Sequence, residues 1–204
     1  GYTHQLYYQY PKRGGYQAIS ESWSKPASIQ YNEKVEKIEI TDKKIFKIIT
    51  NMSEYAAKEI ISTINLSSLL KACDSFIPQN VKNAYKKLIV NPMYIVSFGI
   101  QGNDSDKMTA IYFADKDFLV NRISYPGTFS KYNCPKNTYS IQAEITYNKS
   151  DSEVKNMTDS QIINHVIKGL KKRNLISGKI ILKDLKRMSE SYVVYDINYK
   201  KNVN

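Results

Sequence analysis

Apolar residues follow two different spacings along the chain, and the spacing separates the predicted strands from the predicted helices. Residues 34–40 and 45–50 alternate apolar and polar positions around the turn 41–44, which predicts a β-hairpin. Residues 58–64 form a short apolar run rich in β-branched side chains, which is typical of a buried strand. Further strands are predicted at residues 93–100, 108–114, 120–126 and 138–147, and from residue 179 onwards, where an aromatic extended segment follows. The polar loop between the first two of these strands is expected to join them as a second hairpin.

Four segments carry apolar residues three or four positions apart, which is the spacing of one face of a helix. The clearest begins after Thr158, whose spacing to Gln161 matches a capping box. Its apolar face includes Ile162, Val166 and Leu170, and basic residues close it at the C-terminal end. The other helices are predicted at residues 16–24, 65–73 and 78–89. The second of these has Asn65 or a serine near its N-cap.

Strands and helices occur in clusters instead of alternating one by one, which favours an α+β fold over a doubly wound sheet. We therefore expect a mixed, mostly antiparallel sheet with helices packed on it. The length suits one sizeable domain or two small ones. We expect a single domain over residues 1–204.

The net charge of +11 favours an anionic partner, which would be nucleic acid or a small anionic molecule. The basic residues are spread in pairs, however, without an aromatic RNA-binding signature or zinc-ligand spacing, so we expect a solvated basic surface and no nucleic-acid partner. No apolar run approaches the roughly 20 residues of a membrane-spanning helix. Cys73 and Cys134 are too few for a disulfide scaffold and do not form a CxxC pair, which indicates a reducing, cytoplasmic setting.

The common catalytic motifs are absent from the sequence. There is no GxGxxG, P-loop, HExxH or GxSxG segment. Of the two histidines, His4 and His165, the second lies beside the apolar face of the clearest helix, where we expect packing instead of catalysis. No catalytic residue and no metal site is therefore predicted.

Arg122 lies inside a predicted strand and precedes a loop that contains proline and glycine. It has two interpretations. In the first, its planar guanidinium points into a cleft and binds a phosphate or carboxylate with two hydrogen bonds. In the second, it is an edge-strand arginine that faces water. Tyrosines that are candidates to line such a cleft, or else half-buried core residues, are Tyr125, Tyr132, Tyr192, Tyr195 and Tyr199.

Gly14 and Gly15 stand immediately before the first predicted helix, in the segment "YPKRGG". A pair of glycines allows positive φ and the close approach of another chain or a flat ligand. The alternative is a turn that merely starts the helix.

Four segments, taken in order, resemble the flavin-containing amine oxidase superfamily. "YPKRGGYQAISESW" with "NEKVEKIEI" is similar to its aromatic-Pro-x-x-Gly-Gly segment, helix and following strand. "EIISTINLSSLL" is similar to a stretch in which the family usually has Pro at the position of Asn65. "NRISYPGTFSKYNCP" and "SYVVYDINYKKNV" resemble segments of protoporphyrinogen-oxidase-like proteins and UDP-galactopyranose mutases.

The resemblance implies FAD as the cofactor of a longer parent protein, because members of the superfamily begin with a GxGxxG dinucleotide fold that this sequence lacks. We therefore expect the interior, substrate-binding part of an FAD-linked oxidoreductase. Strands within residues 28–64 are expected to contact the FAD-binding portion of the parent. The implied cofactor-binding residues are Gly14, Gly15, Val35 and Thr63, and the implied substrate-binding residues are Arg122, Tyr125, Asn133 and Tyr192.

The resemblance leaves the substrate and the reaction open. A nucleotide sugar, or another small anionic or amine substrate, is expected, with oxidase or mutase chemistry carried by the flavin. Mutase chemistry would connect the parent protein with the biosynthesis of cell-envelope polysaccharides. The chain by itself is expected to hold no FAD and to be catalytically inactive. The alternative is a stand-alone ligand-binding module without flavin chemistry.

Overall fold

The structure, a computed structural model, describes residues 8–41, 46–103 and 108–203. The helices are α1 (Gln17–Ser24), α2 (Leu66–Ala72), α3 (Gln79–Tyr85), α4 (Pro126–Phe129), α5 (Ser152–Lys155), α6 (Asp159–Lys172) and α7 (Tyr199–Val203). The strands are β1 (Val35–Ile40), β2 (Phe46–Thr50), β3 (Glu54–Ala57), β4 (Ile89–Gln101), β5 (Ala110–Tyr112), β6 (Arg122–Ser124), β7 (Thr138–Thr146) and β8 (Ile180–Val194).

The strands form two sheets, and the chain divides into two compact units. One sheet has three strands in the order β1-β2-β3, and the other has five in the order β5-β6-β7-β4-β8. The first unit comprises Gly1–Ala27 and Asn91–Tyr192, and the second comprises Ser28–Val90 and Val193–Asn204. Antiparallel sheets with helices packed on them confirm the predicted α+β class.

In the first unit, the five-stranded sheet buries one face under α6. Alternate residues of β4 and β7 point to this face and are at most 6 % exposed, namely Tyr94, Val96, Phe98, Ile100, Tyr139, Ile141, Ala143 and Ile145. The predicted apolar face of α6 packs against them, because Ile162, Val166 and Leu170 are completely buried. Alternation along a strand therefore leaves the intervening side chains on the opposite side of the sheet.

Helix α6 begins at the predicted capping box. The Thr158 hydroxyl accepts a hydrogen bond from the Gln161 N–H, and the Gln161 side chain accepts one from the Thr158 N–H. These two bonds satisfy backbone donors that a helix start leaves without partners.

The segment between β5 and β6 is attached to α6 through Phe118, which is buried. Its ring lies against Gly169, at a point where any Cβ would overlap the ring. The guanidinium carbon of Arg173 lies 4.3 Å from the ring centre on this side of the helix. The Leu119 N–H donates a 3.1 Å hydrogen bond to Nε2 of His165. His165 therefore packs within this contact, as its position on the helix predicts.

In the second unit, β1 and β2 form the predicted hairpin, with Ile38 opposite Ile48. Most of its predicted turn lies outside the described residues. The core of this unit is small: Ile38, Ala72 and Cys73 are buried, and half-buried apolar side chains such as Phe46 surround them. Asn65 caps α2 as predicted, since its side chain accepts a hydrogen bond from the Ser68 N–H.

The strand predicted at residues 58–64 is wrong. Those residues have no regular structure, and Ile61 is 94 % exposed. The third strand is instead β3, because a tight turn follows β2 directly: the Thr50 hydroxyl accepts hydrogen bonds from the N–H groups of Met52 and Ser53. This turn places β3 against β2 before the apolar run begins.

The hairpin predicted between residues 93–100 and 108–114 is also wrong. Strand β4 lies between β7 and β8, whereas β5 pairs with β6 at the edge of the sheet. The C-terminal extended segment likewise differs from the prediction, since β8 continues to Val194 and α7 follows it.

No described helix has the length and apolar character needed to cross a membrane. Cys73 is buried and Cys134 half-buried, and both are free thiols.

Candidate functional site

The face of the five-stranded sheet opposite α6 carries polar side chains in rows across the strands. Residues directly opposite each other in antiparallel strands point to the same side of the sheet. One row consists of Ser97, Gln142, Ser124 and Ala110, and the next consists of Ile95, Glu144, Arg122 and Tyr112. All eight residues are half-buried or exposed. We call this surface the polar sheet face.

Arg122 and Glu144 form an ion pair on the polar sheet face. Nε of Arg122 donates to Oε2 of Glu144 at 3.1 Å, and Nη2 donates to Oε1 at 2.5 Å. Nη1 lies 3.5 Å from the Tyr112 hydroxyl, at the long end of hydrogen-bond distances. The side chains of Arg122 and Glu144 are 33 % and 13 % exposed. This two-bonded pair fixes the plane of the guanidinium.

The pair sets the charge that Arg122 presents to a ligand. The hydrogen bonds to Glu144 are the main reason why the pKa of Arg122 lies above its ordinary value. The guanidinium therefore stays protonated, but Arg122 and Glu144 together carry no net charge. Nη1 keeps donor capacity for a ligand, because its contact with Tyr112 is long. Since β6 lies between β5 and β7, the interpretation of Arg122 as an edge-strand residue is wrong.

Asn133 holds the loop that follows α4 in shape. Its Nδ2 donates to the Pro126 carbonyl oxygen at 2.8 Å and to the Tyr10 hydroxyl at 3.3 Å. The ring of Tyr10 also stacks on Phe129, with 5.4 Å between ring centres. These contacts connect the α4 loop to the segment that precedes α1.

Two further contacts join the same segments. The Ser130 hydroxyl donates to the Lys12 carbonyl oxygen at 2.6 Å, and the Arg13 guanidinium lies 3.9 Å from the centre of the Tyr132 ring. The "YPKRGG" and "FSKYNCP" segments, which carry much of the family resemblance, therefore pack against each other.

Gly14 and Gly15 adopt the left-handed conformation, with φ of 81° and 61°. L-residues with a Cβ adopt this region at a cost, so the two glycines suit the turn before α1. A Cβ on Gly14 would also lie 3.0 Å from the Cβ of Ala18. Gly14 is exposed and Gly15 half-buried. The glycine pair therefore forms the turn that starts α1, and its exposed backbone is also open to the close approach of a ligand.

The predicted tyrosines lie in different environments. Tyr125 is 3 % exposed and belongs to the core of the first unit, whereas Tyr192 is 47 % exposed near the end of β8. Tyr132 is 39 % exposed and packs on Arg13. In the second unit, Tyr195 and Tyr199 contact each other edge to face, with ring centres 4.6 Å apart. The five tyrosines therefore do not line a single cleft within either unit.

Val35 and Thr63 lie in the second unit. Val35 is 37 % exposed and begins β1, which is an edge strand of the three-stranded sheet. An edge strand keeps backbone donors and acceptors that pair with no neighbouring strand. Thr63 is exposed in the irregular segment that follows β3. Each of these residues is therefore accessible to a ligand within its own unit.

Glu144 and Tyr112 are the site residues that sequence reasoning missed as partners of Arg122. Sequence separation hides the pairing, because Glu144 lies 22 residues after Arg122. One local signal exists: both residues lie in predicted strands, at positions that alternate with the buried apolar residues. Among the described residues, no group of His, Cys, Asp and Glu side chains is arranged to hold a metal ion.

Comparison with known proteins identifies a family and a fold. A family model described as "Flavin containing amine oxidoreductase" matches residues 1–176. No curated protein matches the chain. The crystal structure of reduced UDP-galactopyranose mutase superposes with a TM-score of 0.77 at 21 % identity, over 95 % of this chain and 43 % of that one. A protein described as "Putative protoporphyrinogen oxidase" from Exiguobacterium sp. 255-15 superposes with a TM-score of 0.73 at 11 % identity, over 93 % of this chain and 42 % of that one.

A third structure, the CLA-producing fatty acid isomerase from P. acnes, superposes with a TM-score of 0.61 at 15 % identity, over 86 % of this chain and 40 % of that one. The chain thus spans about two fifths of the length of the solved structures it matches. At these identities the structural likeness shows the fold alone. Because the family match covers most of the residues, the chain belongs to the family of flavin-containing amine oxidoreductases.

Proposed function

We propose that this chain is the substrate-binding part of an FAD-dependent oxidoreductase or mutase that acts on a nucleotide sugar or another small anionic substrate. The polar sheet face carries this proposal. A sheet that buries one face under α6 and keeps polar rows with an oriented arginine on the other has a surface suited to a polar ligand. The family match and the shared fold support the same assignment.

On the substrate side, we assign direct contact to Arg122 and Tyr192. Arg122 offers its remaining N–H groups, and Tyr192 offers an exposed ring with a polar tip. Asn133 and Tyr125 act through the loop that they support. The carbonyl oxygen of Tyr125 accepts a hydrogen bond from the Thr128 hydroxyl at 2.7 Å, and Asn133 holds the Pro126 carbonyl.

On the cofactor side, we assign Gly14, Gly15, Val35 and Thr63. In the first unit, the left-handed glycines keep their stretch of backbone free of side chains. In the second unit, the edge position of Val35 keeps backbone groups available for hydrogen bonds. Each place, taken within its own unit, suits a flat, hydrogen-bonding ligand. When bound, the flavin supplies hydride acceptance in an oxidase or the bond-forming N5 atom in a mutase. The residues of this chain supply position and charge.

The chain alone is proposed to be catalytically inactive and to act within a parent protein that supplies the remaining flavin contacts. Mutase chemistry would place the parent in the cytoplasmic biosynthesis of cell-envelope polysaccharides. A nucleic-acid partner is not part of this proposal, because the cations are dispersed along the sequence.

The decisive experiment is the visible absorption spectrum of the purified parent protein, compared with that of this chain. We expect flavin bands in the parent and none in the chain alone. A parent protein that is colourless, and stays so after incubation with FAD, would contradict the proposal and favour a binding module without flavin chemistry.

Arg122→Ala in the parent protein tests the substrate side. We expect the variant to weaken binding of a nucleotide diphosphate by about 2 kcal/mol or more, because an oriented charge-assisted hydrogen bond is lost. Isothermal titration calorimetry with UDP measures this change. An unchanged affinity would remove Arg122 from the site.

A further inference from the structure

A pocket of about 420 Å³ opens in the first unit, between the loop after α4 and the beginning of β7. Its lining includes Thr128, Lys131, Cys134, Lys136 and Ser140. Ser140 alternates with Gln142 and Glu144 along β7, so the pocket adjoins the polar sheet face at the end away from Arg122.

Most polar groups of the pocket wall already have partners within the protein. The Thr128 hydroxyl donates to the Tyr125 carbonyl oxygen, and the Thr138 hydroxyl donates to the Pro135 carbonyl oxygen at 2.8 Å. The Cys134 sulfur lies 3.1 Å from the Ser140 hydroxyl oxygen. Among the described lining side chains, the donors left for a ligand are therefore the ammonium groups of the two lysines and the amide of Asn103.

Within the described residues, the charged side chains that line the pocket are Lys131 and Lys136, and both are positive. Neither Lys131 nor Lys136 takes part in an ion pair with a described residue. No described residue that lines the pocket is acidic. Residues 8–20 and 125–143, which contact each other, contain Lys12, Arg13 and these two lysines but no Asp or Glu.

Arg122 does not supply this positive charge, because Glu144 neutralises it. An anion at the polar sheet face is therefore attracted by the charge of the lysines in the α4 loop. Arg122 orients the ligand through its fixed hydrogen-bond donors. Lysine is a point charge without the planar fork of arginine, and it is a common phosphate ligand, so two lysines that line one pocket suit a phosphate group.

We propose that this pocket binds the phosphate groups of the ligand, with Lys131 and Lys136 as the cations that hold them. The proposal deepens the proposed function and rests on it for the identity of the substrate. Its test uses the chain itself and inorganic pyrophosphate, so its result does not depend on the flavin.

Calorimetric titration of the 204-residue chain with pyrophosphate at low ionic strength measures the affinity. We expect Lys131→Ala/Lys136→Ala to weaken binding about tenfold or more, as for the loss of two direct charge contacts. The matched control is Lys155→Ala/Lys171→Ala, which removes two exposed lysines of the same unit that line no part of the pocket. The control has the same net charge and is expected to change the affinity by less than about twofold.

A second measurement reports on the pocket directly. The chain has two thiols, and Cys73 is buried, so Cys134 is the accessible site for the uncharged reagent iodoacetamide. Pyrophosphate should slow alkylation of Cys134 in the wild-type chain and in the control. It should have no effect in the Lys131→Ala/Lys136→Ala variant.

Three outcomes would overturn the pocket assignment: absence of pyrophosphate binding, equal losses in the two double variants, or binding without protection of Cys134. Acetate binding as strong as that of pyrophosphate would overturn the preference for phosphate. The flavin spectrum of the parent protein is independent of these results, so a failure of the pocket and a failure of the proposed function are distinguishable.

Discussion

Arg122 and Glu144 stand opposite each other on neighbouring strands, so the geometry of the sheet brings their side chains together on one side. The resulting two-bonded contact is half-buried, in contrast to the ion pair between Lys172 and Asp117, whose side chains are 70 % and 60 % exposed. Removal of one partner from a half-buried pair leaves the other charge uncompensated. Loss of one partner is therefore expected to destabilise the protein more at the half-buried ion pair than at the exposed one.

We predict that Arg122→Ala lowers the free energy of unfolding by about 1–3 kcal/mol, because the Glu144 carboxylate loses its donors while it stays largely buried. Lys172→Ala, the control at the exposed pair, should cost less than about 1 kcal/mol. Urea denaturation followed by circular dichroism compares the two variants. Equal losses would show that burial does not distinguish these pairs.

The lowered pKa of His165 predicts that the stability of the protein depends on pH. Burial lowers its pKa, as do Arg173 and Lys168, whereas Asp117 opposes them. The unfolded chain therefore takes up a proton on this residue at a higher pH than the folded one. The stabilisation is complete above the unfolded pKa of about 6.5 and is lost as the pH falls below it. Protonation also removes the acceptor for the Leu119 N–H.

The measurement is the urea midpoint between about pH 7.5 and pH 5.5, a window above the ordinary titration of carboxylates. The wild-type midpoint should fall across this window. His165→Gln, which does not titrate, should show a smaller fall. Identical slopes for the two proteins would assign the pH dependence to other groups.

At the scale of elements, helix α6 shows how packing overrules propensity. Gly169 stands in the interior of the helix, where alanine would ordinarily be favoured by about 1 kcal/mol. The ring of Phe118 occupies the space that a Cβ would need, and the contacts of Arg173 and His165 hold the ring in place. The glycine therefore serves the contact between the helix and the β5–β6 segment.

We predict that Gly169→Ala destabilises the protein by about 1–3 kcal/mol, the usual cost of overpacking, despite the gain in helix propensity. Asn164→Ala, at an exposed position of the same helix, is the control and should be neutral or slightly stabilising. Thermal or urea unfolding measures both changes. A stabilised Gly169→Ala variant would contradict the close packing of Phe118 against Gly169.

At the scale of the whole molecule, the two units differ in the size of their cores. In the described residues, the core of the first unit contains 16 buried residues and that of the second contains three. Buried apolar area is the main source of stability. The second unit therefore has less buried apolar area to stabilise it against local unfolding.

We predict that backbone amides of the β4–β7 pairing exchange with deuterium more slowly than those of the β1–β2 pairing. Elements with few buried contacts open with lower free energy than the core. Hydrogen exchange followed by mass spectrometry resolves peptides from the two sheets. Equal protection of both pairings would mean that the units unfold together.

Local patterns in the sequence determined several features correctly. The Thr158–Gln161 spacing and the apolar face that follows predict α6, and Asn65 predicts the start of α2. The Gly14–Gly15 pair allows the positive φ that both residues adopt before α1. Each depends on residues within a few positions of one another, so no knowledge of the distant chain is required. The clustering of elements likewise predicts the α+β class, and the ordered segments predict the family.

Only the tertiary structure decided which strands pair and which charges meet. The order β5-β6-β7-β4-β8 separates β4 from β5 although they follow each other in the chain, and a tight turn at Thr50 makes β3 the partner of β2 in place of residues 58–64. The neutralisation of Arg122 by Glu144 follows from that order. Strand pairing is selected by burial and backbone hydrogen bonds across the whole sheet, and a local pattern of residues does not contain this information.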